Sequence, residues 1–172
     1  IGSNVSRVEV WRDGEVVNLS KEECDFKYRS SGLKNDGSVI LRVWFKFLAG
    51  DRHEIMAKVQ KNLQARQGKF PPFPSAGCFF KNIKLDKWPG KKDDLPPLFL
   101  ERGTVPSGWL VEQAGCGGLV SGGAKVDAGH CNFVINIGNA TQADILKLVE
   151  IVKEKVYNKF GVELEQEVEI IK

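Results

Sequence analysis

The stretch TQADILKLVEIVKEKVYNKFGVELEQEVEI (Thr141–Ile170) changes its hydrophobic period part-way along. In its first part Ile145, Leu148, Val149, Val152, Val156 and Phe160 recur every three or four residues, which draws one apolar stripe along a helix. Thr141 and Asp144 stand where a capping pair belongs, and Gly161 where a helix stop calls for a left-handed residue. Beyond Gly161 the period falls to two. Val162, Leu164, Val168 and Ile170 share one face, and Glu163, Glu165, Glu167 and Glu169 the other. A helix over 141–160 followed by a strand over 162–171 is the expectation.

Upstream of this stretch, 131–137 reads as a buried strand and 108–114 as a short helix, joined by the glycine-dense run from Gly115 to Gly123. Residues 84–107 hold Pro89, Pro96, Pro97 and Pro106 and no period, which reads as a long surface loop. Pro71-Pro72-Phe73-Pro74 ends an amphipathic helix over 51–66, whose stripe is Ile55, Val59 and Leu63, and marks a boundary. From Ser38, Val39, Leu41, Val43, Phe45 and Phe47 fall on one face, with Arg42 and Lys46 on the other, as in a half-buried strand. Residues 5–20 read as a hairpin about Asp13-Gly14, and Ser20 with Glu23 as a capping box. The fold class is therefore α+β, with two antiparallel-leaning pieces of sheet, each covered by helices.

A chain of 172 residues can hold one domain with a proper core, or a domain and a subdomain. No apolar run approaches the roughly 20 residues needed to span a bilayer. Ile1-Gly2-Ser3-Asn4 lacks the basic flank and apolar stretch of a signal peptide, and the missing initiator Met leaves room for a longer parent. A net charge of +3, from 25 basic and 22 acidic residues spread along the chain, lacks the clustered basic footprint of a nucleic-acid binder. Cys24, Cys78, Cys116 and Cys131 form no CxxC pair, so neither a disulfide framework nor a zinc spacing is read, and reduced thiols are expected.

Four features can carry chemistry. Tyr28-Arg29-Ser30-Ser31 places a guanidinium fork beside a turn, where it can pair with a carboxylate or phosphate; a plain surface Arg is the commoner outcome. Cys78, in the small-residue turn Ser75-Ala76-Gly77-Cys78, can give or take a proton beside a closely approaching ligand, or be an inert thiol ahead of two core aromatics. The glycine run can offer N–H groups to a phosphate, although it matches no phosphate-binding motif and a tight connector fits it better; His130 just beyond it is more often structural. The acidic row from Glu163 to Glu169 is ordinarily a solvated face, but a carboxylate of that row facing a cleft would have its pKa raised by its neighbours.

Taken in order, the motifs Glu22-Glu23-Cys24-x-Phe26-x-Tyr28-Arg29-x-Ser31, Pro74-Ser75-Ala76-Gly77-Cys78-Phe79-Phe80-Lys81-Asn82 and Gly108-Trp109-Leu110-Val111-Glu112-Gln113-Ala114-Gly115 resemble one family. Gly122-Gly123-Ala124-Lys125-Val126, His130-Cys131-Asn132-Phe133-Val134-Ile135-Asn136 with Gly138-Asn139-Ala140-Thr141, and Phe160-Gly161-Val162-x-Leu164-Glu165-x-Glu167-Val168 complete the set. The resemblance is to the MurB family, flavoenzymes that reduce UDP-N-acetylglucosamine enolpyruvate to UDP-N-acetylmuramate with FAD and NADPH. It covers nearly the whole chain apart from 84–107. It implies a cytoplasmic, monomeric oxidoreductase of cell-wall biogenesis, and so of cell shape and division, with no metal, nucleic acid or membrane partner. It further implies that Arg29 stabilises the enolate carboxylate, that Cys78 is the general acid, and that Glu167 is a protonated hydrogen-bonding partner. Tyr28, Asn82 and His130 match positions that contact the UDP-sugar or orient its enolpyruvyl group.

The chain departs from the family pattern in three residues or segments. Cys78 replaces a Ser, and a thiol, ordinarily titrating at about 8.5, can still donate a proton. Ser30 replaces an Asp, and an insert over 83–107 begins where the family has a Pro. The flavin-binding half is expected before residue 1. The organisation implied is the end of a FAD-binding (PCMH-type) domain over 1–50, a helix and Pro-rich connector over 51–74, and the substrate-binding domain over 75–172. The cofactor-contacting residues then lie mostly upstream, so this chain alone is expected to hold little FAD and to be inactive. The alternative is a non-catalytic UDP-sugar-binding module on the same fold.

Overall fold

The structure, a computed structural model, describes residues 1–68 and 70–171. The chain divides into two compact units, Ile1–Lys61 and Asn62–Lys172.

In the first unit β1 (Val5–Arg12) and β2 (Glu15–Ser20) make the expected hairpin, with Asp13 and Gly14 both at positive φ as a tight two-residue turn demands. β3 (Val39–Phe45) pairs antiparallel with the other edge of β1, giving the order β2-β1-β3. Val5, Val8, Val10, Leu19, Cys24 and Leu33 form a small core. The reciprocal bonds of Ser20 and Glu23 are present, at 2.7 and 3.3 Å, but they close a turn rather than open a helix. β3 has the expected alternation without the expected burial: Val39, Leu41, Val43 and Phe45 are all exposed. The same holds for α1 (Arg52–Arg66). Asp51 caps it through the Glu54 N–H at 3.0 Å, yet Ile55, Val59 and Leu63 stay exposed, so cap and propensity support it rather than packing.

The second unit is built on β4 (Ser75–Cys78), β7 (Val120–Ser121), β8 (Ala124–Val126) and β9 (Phe133–Asn136), in the order β4-β9-β8-β7. Two helices cover it, α3 (Ser107–Gln113) and the 19-residue α4 (Gln142–Phe160). α4 is bounded as its sequence requires. Thr141 and Asp144 form a full capping box, and Gly161 takes φ 65° with its N–H on the Tyr157 carbonyl. Leu148, Val149, Val152 and Val156 are buried against Leu110, Val111, Ala124, Val126 and Val134. At about 0.8 kcal/mol per buried methylene, this layer is the main stabilising element of the unit.

Two expectations are corrected. Residues 84–107 are not a structureless loop. β5 (Ile83–Lys84) pairs with β6 (Thr104–Val105) to close the segment at its base, and α2 (Pro97–Arg102) lies between them, ended by Gly103 in the left-handed region. Leu95, Phe99 and Val105 join the core, and Trp88 packs 5.9 Å from the Phe160 ring. The prolines hid this: Pro97 sits at a helix start, where a missing N–H costs nothing. The second correction concerns 162–171, which is no continuous strand. Its alternation survives, with Val162 and Leu164 buried and Glu163 and Glu165 exposed, but its pairing narrows to a bridge between Phe80 and Gln166.

Candidate functional site

Cys78 ends β4 where the pairing with β9 slips by one residue between Ser75 and Cys78. Gly77, at φ 87°, lies in that slip, and a bulge of this kind re-aims the side chain that follows. The Cys78 thiol is exposed and stands opposite Phe133 in the register, so the two side chains share a face. Cys24, Cys116 and Cys131 are buried, and burial is the main cause that pushes each of their thiols up.

Every backbone polar group of residues 79–81 has a partner, which is how an irregular segment is held without a regular sheet. The Phe79 N–H donates to the Asn132 carbonyl at 2.7 Å, and the Phe79 carbonyl accepts from the Glu167 N–H at 2.8 Å. The Lys81 N–H donates to the Glu165 carbonyl at 2.9 Å, and the Lys81 and Glu165 side chains form an ion pair. Both groups of Phe80 are taken by the side-chain amide of Asn132, each at 2.9 Å. The fully buried Ser107 hydroxyl donates to the Lys81 carbonyl at 2.9 Å and lies 3.1 Å from that of Phe80. In consequence Glu167, half-buried, is held one residue across from Cys78.

Asn82 follows directly. Its Oδ1 accepts from the Ser107 N–H at 3.2 Å, which directs its amide nitrogen away from Ser107. His130 packs edge-on against Phe133, 4.6 Å between centroids, and Phe70 meets the same ring at 5.9 Å. The Arg66 guanidinium lies 5.3 Å from the Phe70 centroid. Asn62, Ala65, Arg66, Phe70 and His130 line an open depression of about 470 Å³. Phe133 is thus the hub that joins Cys78 to His130 within the second unit. A wider groove of about 630 Å³ follows the outer face of α4 past Lys147, Glu150 and Tyr157 to Glu163; its mixed charges are those of a solvated face.

Arg29 and Tyr28 belong to the first unit, at the corner of a tight turn closed by Lys27 and Ser30, whose N–H and C=O groups bond each other at 2.9 and 3.3 Å. Arg29 has φ 55°, in the third turn position, which favours glycine. A long side chain held there costs of order 1 kcal/mol, a strain typical of functional residues. Its guanidinium lies 5.2 Å from the Tyr28 centroid, and the surrounding pocket of about 490 Å³ is lined by Phe26, Leu33 and Ile40 together with Lys27 and Lys34.

The Gly122–Gly123 end of the glycine run does not fit a phosphate or a flavin pyrophosphate. Gly122 and Gly123 are the hairpin turn between β7 and β8. A Cβ on Gly123 would overlap the Gly138 carbonyl, and one on Gly122 the Asp144 carboxylate, so backbone and a fixed anion occupy the space. Among the described residues no group of three or more His, Cys, Asp or Glu is placed to hold a metal ion, and no helix is long and apolar enough to cross a membrane.

The sequence reading missed Asn132, Ser107, Arg66 and Phe70. Asn132 carried a signal, a polar residue inside an apolar strand. Ser107 sat beside a segment read as loop, and Arg66 and Phe70 flanked a boundary, so neither spacing nor period marked them.

Residues 66–171 match the model of the UDP-N-acetylenolpyruvoylglucosamine reductase, C-terminal domain. The chain belongs to that family. The MurB domain accounts for the fold of the second unit, and the match runs through Cys78, Asn82, His130 and Glu167. The UDP-N-acetylenolpyruvoylglucosamine reductase of Thermotoga petrophila is 40% identical over 171 residues, covering 99% of this chain and 54% of that protein. That of Anoxybacillus flavithermus is 35% identical over 177 residues, covering 99% and 52%. The crystal structure of the Thermus caldophilus reductase (MurB) superposes with a TM-score of 0.75 at 32% identity, over 98% of this chain and 53% of that one. The chain spans about half the length of the curated relatives it matches.

Proposed function

We propose that the chain is the substrate-binding half of a reductase that converts UDP-N-acetylglucosamine enolpyruvate to UDP-N-acetylmuramate in peptidoglycan synthesis, acting in the cytoplasm as a monomer. The observation that carries this reading is the ladder that seats Cys78 and Glu167, far apart in sequence, on neighbouring segments. FAD, recharged by NADPH and contacted mostly by residues outside this chain, would supply the hydride. The closed glycine turn supports placing the flavin elsewhere.

Saturating the enolpyruvyl double bond adds a hydride at C3 and a proton at C2. Cys78 gives the C2 proton from its thiol and is re-protonated from solvent, to which it is open. Arg29 opposes the negative charge that grows on the carboxylate as the enolate forms, where a fixed cation helps most. Glu167 hydrogen-bonds the same group. Tyr28, Asn82 and His130 hold the UDP-sugar, and the Arg66 guanidinium with the Phe70 edge beside His130 suits an anionic, ring-bearing ligand.

The test begins with this chain and UDP-N-acetylglucosamine enolpyruvate, which should raise its melting temperature. No shift at millimolar ligand would remove the substrate site from the reading. Joined to the amino-terminal half of a relative, the chain should give a yellow protein that sustains NADPH turnover when substrate is present. A yellow protein with a ligand-induced shift and no turnover would instead make it a non-catalytic UDP-sugar-binding module.

A further inference from the structure

We propose that Asn132 is the positioning residue of the proton-donating site: through the Phe79–Phe80 backbone it fixes where Cys78 stands relative to Glu167. The inference rests on the reading of Cys78 as the acid. Asn132 is 4% exposed, and a buried amide must have its donors and acceptor satisfied. It finds them in one residue. Oδ1 accepts from the Phe80 N–H and Nδ2 donates to the Phe80 carbonyl, while its own backbone carbonyl accepts from the Phe79 N–H. Of the six backbone polar groups on residues 79–81, Asn132 engages three.

The three remaining groups point elsewhere. Two bond Glu165 and Glu167, and the third bonds Ser107. Residues 79–81 are therefore clamped between Asn132 on one side and the Glu165–Glu167 segment on the other. Cys78 is the next residue outward, beyond the bulge that frees β4 from its regular pairing. The bulge re-aims the thiol, and Asn132 holds the thiol in that aim.

Only Asn does this at the length available. Asp keeps the shape and the bond from the Phe80 N–H, but a carboxylate facing the Phe80 carbonyl repels it. Leu removes both bonds, which leaves the buried Phe80 N–H without a partner and its carbonyl with the Ser107 hydroxyl alone.

The experiment uses the full-length flavoenzyme carrying this sequence, with its two half-reactions followed separately by rapid mixing. Asn132→Asp and Asn132→Leu should leave flavin reduction by NADPH within about twofold. Both should slow reoxidation by substrate roughly ten- to a hundredfold, the scale at which an ångström of misplacement acts. In a Cys78→Ala background Asn132→Asp should add less than about a further twofold, because two residues acting through one proton transfer are not additive. Full additivity would mean that Asn132 acts on folding or binding alone, and so would equal losses in both half-reactions. If Cys78→Ala slows reoxidation and neither Asn132 variant does, the positioning role falls and the acid stands. If Cys78→Ala does not slow reoxidation, the acid assignment falls and takes this inference with it. Should Asn132→Leu fail to fold, Asn132→Asp decides, since it keeps the volume and one of the two side-chain bonds.

Discussion

Replacing Phe99 by Ala tests whether the segment between β5 and β6 is part of the core or an ornament upon it. The Phe99 ring is 8% exposed and stands edge-on to Trp109, 5.4 Å between centroids. Truncation forfeits roughly 2 kcal/mol of transfer free energy. A partly collapsed cavity adds about 1–2 kcal/mol, and the lost aromatic pair roughly 0.5 kcal/mol more. Taken together the expected loss is about 3.5–4.5 kcal/mol, a large share of the roughly 5–15 kcal/mol typical of a domain. At roughly 4 °C per kcal/mol the second unit should melt more than about 10 °C lower. Guanidinium unfolding followed by tryptophan fluorescence suits the measurement, because Trp88 and Trp109 both pack on Phe160 and report on this layer. A loss below about 0.5 kcal/mol, the range of surface substitutions, would refute the core assignment.

Iodoacetamide on the folded chain at pH 8 should label Cys78 first, with Cys24, Cys116 and Cys131 reacting only on denaturation; mass mapping that finds a buried thiol labelled early would contradict their burial. Gly123→Ala should cost about 2 kcal/mol or more, because its methyl meets the Gly138 carbonyl, and near-wild-type melting would show that this turn yields. Arg29→Gly should gain up to about 1 kcal/mol of stability by relieving its left-handed backbone while abolishing turnover in the intact enzyme, and a destabilised variant would mean the turn is unstrained. The bonds from the Thr141 backbone and hydroxyl, with a smaller one from the Gly123 backbone, hold the Asp144 carboxyl below its ordinary 3.8. A depressed folded pKa stabilises above the unfolded value and the gain is lost as pH falls through the folded one, so Asp144→Asn should flatten the acid limb of the melting curve below about pH 4. An unchanged limb would assign the acid sensitivity to other carboxylates.

Elements with one dominant local cause could be read from the sequence. α4 has a full stripe, a capping box and a left-handed stop, and every one of these is a property of neighbours in sequence. The hairpin of β1 and β2 is set likewise by Asp13 and Gly14. What could not be read depends on partners distant in sequence. Phe99 and Leu95 look like stray apolar residues among prolines until β5 and β6 close beneath them. The 162–171 segment has a strand's alternation, but its pairing partner is an irregular turn that no period announces. Cys78 and Glu167 could be named by motif, whereas Asn132 and Ser107 act through the backbone of other residues, and spacing carries no record of that.

The ladder across residues 79–81 also sets a schedule. Lys81 and Glu165 are separated by 84 positions in sequence. At a synthesis rate of about 5–20 residues per second, the cysteine-bearing turn leaves the ribosome on the order of 4–17 s before the segment that completes it. Through that interval Asn132, once made, is the only one of the two clamps available. A chain ended between Phe160, the last residue of α4, and Glu165 would therefore carry the sheet and its covering helices and still lack the clamp that holds Glu167 beside Cys78.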